Sequence, residues 1–99
     1  MGNLAATYSD LGRHQDALVL LEKTLEFRRR VLPENHPNIG ESCFNISLFY
    51  RLAGDFHRAI ERAREALRIF QAVLPPSHPS VKNAQEQVRQ IEGDIAQRA

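Results

Sequence analysis

The stretch VLPENHP at residues 31–37 returns as VLPPSHP at residues 73–79, forty-two positions later. Sliding the chain on itself by this offset aligns residues 3–39 with residues 45–81. Identical residues then coincide along the whole overlap: Asn3/Asn45, Tyr8/Tyr50, Gly12/Gly54, Ala17/Ala59, Leu25/Leu67 and the shared letters of the two quoted stretches. The chain is therefore a tandem repeat.

The prolines of the repeated stretch predict where helices stop and start. Pro33 and Pro75 cannot continue a helix, and each disfavours the helical conformation of the leucine before it. Pro37 and Pro79 suit the first position of a new helix, where no backbone N–H is needed. We therefore expect each stretch to end one helix and to begin the next.

Apolar residues recur at helical spacing on both sides of Gly12 and of Gly54, which predicts a helix, a turn and a second helix in each unit. No segment alternates as a half-buried strand does. The predicted fold is all-α: repeat one at residues 1–36, repeat two at 37–78, and a capping helix at 79–98 with a sparse apolar stripe. Because the counterpart of Pro37 would precede Met1, we expect a piece of a longer array.

Composition limits the possible functions. The chain has 99 residues and a net charge of +1, which provides no overall field for nucleic acid or for an acidic membrane. A single cysteine, Cys43, excludes an internal disulfide. With no leader-like or membrane-spanning stretch, we expect a cytoplasmic protein that binds neither nucleic acid nor membranes.

The repeated segments resemble a known family. NLAATY (3–8) and LGRHQDAL (11–18), with their matches NISLFY (45–50) and AGDFHRAI (53–60), are similar to tetratricopeptide repeats, and the forty-two-residue period with HP after VLP resembles the kinesin-light-chain type. The resemblance implies a right-handed solenoid of antiparallel helix pairs. It also implies a protein-protein interaction module whose concave groove holds an extended peptide.

Groove residues follow from the resemblance position by position. Family asparagines that bond the peptide backbone match Asn3 and Asn45, and Gln87 holds the third equivalent position with a longer amide. Asn83 stands one turn earlier, where a clamping lysine would be expected, so the family's carboxylate clamp is not carried over. An amide both donates and accepts, which suits an unstructured peptide ligand.

A second apolar stripe, formed by Phe44, Leu48 and Leu52, occurs only in the central unit. One interpretation is that this helix is sandwiched between neighbours and buries both of its stripes. The other is an apolar pocket for ligand side chains, framed by Asn45 and Arg51. Both interpretations stay open at the level of sequence.

Self-association is the alternative function. Val19 and Leu20 stand where the second unit has Glu61 and Arg62, so they should contact a preceding repeat or a foreign partner. Together with Leu4 and Leu11 they would form an uncovered front end, through which a homodimer could form by end contact or helix exchange.

Other features have ordinary structural explanations. The run of residues 28–30 places three arginines in a last helical turn, where cations favour the helix dipole. Glu61, Arg64, Glu65 and Arg68 are spaced for pairs within one exposed helix. The four histidines form no metal-binding pattern and Cys43 has no histidine beside it in sequence, so we expect no enzyme, no metal and no cofactor.

Overall fold

The computed structural model describes residues 14–98, and all regular structure within them is helical. The helices are α1 (His14–Val31), α2 (Pro37–Leu52), α3 (Phe56–Val73) and α4 (Pro79–Arg98). The two helix starts predicted at proline are confirmed. The predicted first helix, with Gly12 at its end, lies outside the described residues.

A histidine side chain caps the N-terminus of each helix that begins at the end of a repeated stretch. His36 Nδ1 accepts a hydrogen bond from the backbone N–H of Asn38 at 3.0 Å, and His78 Nδ1 accepts one from Ser80 N at 3.0 Å. Each bond satisfies one of the N–H groups that a helix start leaves unpaired. The sequence placed these histidines beside the N-cap, and the side chains themselves do the capping.

The turn between α2 and α3 depends on Gly54 and Asp55. Gly54 has φ +83°, a left-handed conformation that a Cβ atom would strain. Asp55 Oδ1 then accepts a hydrogen bond from Arg58 N at 3.2 Å. The predicted break at Gly54 is confirmed.

Successive helices pack in pairs, α1 on α2, α2 on α3 and α3 on α4. The main core joins all four helices, and its buried members are Leu18, Leu25, Ile39, Cys43, Ile46, Ala66, Ile69, Phe70, Val81 and Ala84. A smaller cluster of Ala59, Ile60, Ala63 and Ile91 joins α3 to α4. The buried apolar side chains therefore lie between successive helices, as expected of a repeat array.

The pairs expected among Glu61, Arg64, Glu65 and Arg68 of α3 are not the pairs that form. Glu65 accepts hydrogen bonds from Arg29 on α1 as well as from Arg62, and its side chain is only 18% exposed. Arg64 pairs with Glu92 on α4 at 3.0 Å. Spacing along one helix could not reveal these contacts, because neighbouring helices supply the partners.

Candidate functional site

A groove runs between α2 and α4, the helices that begin at Pro37 and Pro79. Arg51 crosses it: its Nε donates to Asp94 Oδ2 at 2.7 Å, and its Nη1 donates to Gln90 Oε1 at 2.8 Å. Both acceptors lie on α4. The α4 residues at the repeat positions equivalent to the apolar stripe of α2 are polar. We call this surface the α2–α4 groove.

The first depression of the groove lies near the starts of both helices and has a volume of about 370 Å³. Phe44 from α2 and Phe70 from α3 contribute aromatic walls. Asn45 and Asn83 line it with exposed amides that bond to no other described residue. Its remaining lining residues are Pro37, Asn38, Glu41 and Ser80. The depression therefore offers an apolar surface beside free donors and acceptors.

The second depression lies toward the end of α2 and has a volume of about 490 Å³. Leu48, Leu52 and Phe56 supply its apolar surface, and the Arg51–Asp94 pair borders it. Leu52 is 64% exposed, so the stripe is not fully buried between neighbouring helices. Phe44, in contrast, packs partly against the main core.

Gln87 differs from the other predicted groove amides because it is buried, with 5% of its surface exposed. Its Nε2 has no hydrogen-bond partner among the described residues. An unpaired buried amide is unusual and costs free energy. Sequence alignment gives Gln87 the position of Asn45 and does not predict this burial.

The predicted residues near the front of the chain fall on both sides of the described boundary. Asn3 of the predicted groove lies outside the described residues, as do Leu4 and Leu11 of the predicted self-association surface. Val19 and Leu20 on α1 are 53% and 66% exposed.

The sequence interpretation missed two further exposed apolar residues of α1, Phe27 and Val31. Phe27 is the repeat counterpart of buried Ile69. Alignment of the repeats shows that Phe27 and Ile69 are both apolar at equivalent positions. This match in the sequence could have drawn attention to Phe27.

Cys43 is wholly buried, as expected. Burial, and next the negative charge of Glu65, raise the pKa of its thiol to about 12. Within residues 14–98 no three side chains are grouped to hold a metal ion. No helix of that range combines the length and the apolarity needed to cross a membrane.

Comparisons with known proteins identify the family and the fold. The tetratricopeptide repeat model matches residues 1–72. Two crystal structures of a Podosopora anserina kinesin-light-chain protein with nearly identical TPR-like repeats, one of them of a variant with a single substitution, each superpose with a TM-score of 0.82 at 25% identity.

Each of those two superpositions covers 96% of this chain and 45% of the other, so this chain spans less than half of their length. No curated protein gives a significant match. Repeats of this family are interaction modules rather than catalysts. The chain belongs to the tetratricopeptide repeat family, and its fold is similar to that of kinesin-light-chain repeats.

Proposed function

We propose that the chain binds an extended peptide segment of a partner protein in the α2–α4 groove. The observation that carries the proposal is the pair of depressions along one groove, each walled by apolar side chains from α2 and α3. Two separate apolar recesses suit a ligand that presents side chains at intervals.

The spacing of the depressions suggests the ligand's register. The α2 residues that line the first depression are centred about nine residues before the α2 residues that line the second. At 1.5 Å per residue, the two depressions therefore lie roughly 13 Å apart along the helix. An extended peptide rises about 3.3 Å per residue and directs alternate side chains to one side. Side chains four residues apart would therefore reach both depressions, which gives a minimum ligand of about five residues.

The amides of the groove suit the backbone of such a ligand. Asn45 and Asn83 are exposed and unpaired within the described chain, so each can donate to a peptide carbonyl and accept from a peptide N–H. Arg51 is already bonded to Asp94 and Gln90. The ligand side chains are therefore expected to be apolar rather than acidic, with an affinity on the order of micromolar, because the ligand must be ordered on binding.

A peptide library with varied apolar spacing tests this function. Peptides with two bulky apolar residues at positions i and i+4 should bind more tightly than peptides with i, i+3 spacing, measured by fluorescence anisotropy. Leu48→Glu and Asn45→Ala should each weaken binding, whereas Val73→Glu, on the exposed end of α3, should not. Equal affinity of all three folded variants for a confirmed peptide ligand would refute the groove assignment.

Self-association is the second candidate, and one observation favours it. Val19 and Leu20 are apolar and exposed at the front of α1, where burial on a second copy would be favourable. We expect the mass measured by light scattering to rise with concentration if copies pair, and Leu20→Glu to abolish that rise. A constant mass near that of the 11.3 kDa monomer at high concentration would exclude this function.

A further inference from the structure

Charged side chains link α1 to α3. Among the four helices that the structure describes, the closely packed pairs are successive helices, so α1 and α3 are not one of them. Arg62 of α3 donates to Glu22 of α1 at 2.9 Å, and Arg29 of α1 pairs with Glu65 of α3. Arg62 also donates to Glu65 at 2.9 Å, which joins the two pairs into one network. We call these four residues the α1–α3 latch.

The latch is also connected to α2, the helix that packs against both α1 and α3. Tyr50 of α2 donates its hydroxyl to Glu22 at 3.0 Å, so this carboxylate accepts hydrogen bonds from two other helices. The Sγ atom of buried Cys43, also on α2, lies 4.0 Å from Nη2 of Arg29. Cys43 therefore lies next to the latch, and solvent reaches its thiol only when a neighbouring helix moves away.

A cleft of about 830 Å³ borders the first turns of α1. Its other wall is formed by Tyr50, by the turn at residues 53–55 and by the start of α3, and Glu22 and Arg62 line it as well. Surfaces separated by a gap lose the van der Waals attraction that close packing provides. This part of α1 is therefore held to α3 mainly by the latch.

The last turn of α1 is anchored instead to the start of α2. Arg28 donates to the carbonyl of Asn38 at 2.8 Å and to the Ser42 hydroxyl at 3.1 Å. It also pairs with Glu41 at 3.4 Å. Because these contacts join α1 to α2 only, they persist when the earlier turns of α1 move away from α3. This end of α1 can therefore act as a pivot.

We propose that the α1–α3 latch is a salt-sensitive conformational switch: on its release, α1 swings away from α3 about its last turn while α2, α3 and α4 remain packed. The Glu22 and Arg62 side chains are 32% and 30% exposed, and ion pairs that reach solvent are weakened by dissolved salt. Local openings of this kind need less free energy than global unfolding. The switch is separate from peptide binding, because no latch residue lines the α2–α4 groove.

Hydrogen exchange of the full chain, measured by mass spectrometry on proteolytic fragments, tests the switch. Backbone amides of α1 at residues 18–29 should exchange about tenfold faster or more than those of α3 at residues 59–70, which exchange only on global unfolding. Glu22→Gln should speed exchange in α1 by a further factor of about two to five, the range of a partly exposed ion pair. Equal rates in α1 and α3 of the parent, or no effect of Glu22→Gln on α1, would overturn the proposal.

Glu92→Gln is the matched control, because it breaks an ion pair that release of the latch leaves intact. That pair joins Arg64 of α3 to Glu92 of α4, two helices that stay packed in the released state. Glu92→Gln should therefore leave exchange in α1 unchanged. If α1 exchanged only by global unfolding, Glu92→Gln would speed its exchange as much as that of α3, and the switch would be refuted.

Salt provides the last test. Raising NaCl from about 0.05 to 0.5 M shortens the screening length several-fold and should speed exchange in α1 of the parent. Glu22→Gln combined with Glu65→Gln removes both latch carboxylates, so this variant should respond little to salt. Labelling of Cys43 should follow exchange in α1 across these samples. A parent whose α1 exchanges equally fast at both salt concentrations, or Cys43 labelling that follows α3 instead, contradicts the proposal.

Discussion

Arg51 and Asp94 join the two helices that border the groove, with Nε 2.7 Å from Oδ2. Both side chains are roughly 30% exposed, and Gln90 accepts a further bond from the same guanidinium. The cation at the edge of the second depression is therefore engaged by its own chain.

Removal of Asp94 should change what the second depression accepts. Asp94→Ala frees part of the Arg51 guanidinium, so a groove peptide with Glu at the position nearest Arg51 should bind about two- to fivefold more tightly, the range of a partly exposed ion pair. The Glu/Gln peptide pair should be compared by isothermal titration calorimetry. Glu92→Ala, which breaks the Arg64 pair instead, should leave the ratio unchanged; a similar change there would contradict this account.

Gly40 is required by the close approach of Phe70. A Cβ atom at residue 40 would lie 2.8 Å from Cε1 of that ring, so Gly40→Ala should displace the aromatic wall of the first depression and cost roughly 1–3 kcal/mol of unfolding free energy. Gly93 lies within α4, and a Cβ atom there would point into open space. Gly93→Ala should therefore stabilise the protein by about 0.5–1 kcal/mol. Urea titrations of the parent and of both variants measure these changes in unfolding free energy.

The histidine at the start of α2 should contribute as an N-cap. His36→Ala removes the Nδ1 acceptor of the Asn38 N–H and should lower the unfolding free energy by about 1 kcal/mol. His36→Asn should recover most of that loss, because Asn is a strong N-cap residue. Exposed His57 serves as the matched control; a loss of equal size from His57→Ala would show that capping is not the cause.

Glu65 should stabilise the protein at neutral pH, and this contribution should be lost in acid. Burial raises the pKa of Glu65, but the hydrogen bonds and charges of Arg29 and Arg62 outweigh burial, so the pKa is lowered overall. A carboxyl with a folded pKa below its unfolded value adds stability above the unfolded pKa, and this is lost as pH falls through the folded pKa. Unfolding free energies measured from neutral pH to about pH 3 should fall less in Glu65→Gln than in the parent.

Cys43 should be inert toward thiol reagents while the protein is folded. Its side chain is wholly buried, and burial together with Glu65 raises the thiol pKa to about 12, so little reactive thiolate is present at neutral pH. Labelling with a chromogenic disulfide should be slow in buffer and complete in denaturant. Rapid labelling of the native chain would show that α2 separates readily from its neighbours.

The sequence by itself determined the helix boundaries around the repeated stretch. Pro37 and Pro79 restrict their own backbone and the residue before them, and Gly54 tolerates a left-handed turn without strain. These effects act within a few residues and need no tertiary contact. The repeat period also predicted the fold class, because helix boundaries that recur at equal spacing indicate a tandem array of equal helical units.

Tertiary structure alone decided which side chains meet. Glu65 was expected to pair along its own exposed helix, yet Arg29 from α1 reaches it across the packed interface. Gln87 was aligned with exposed Asn45, yet it is buried, and Gly40 gave no sign in the sequence that Phe70 lies against it. These outcomes depend on how far apart the helices lie and how they are rotated, which side-chain packing over the whole core sets and which a pattern along one helix does not encode.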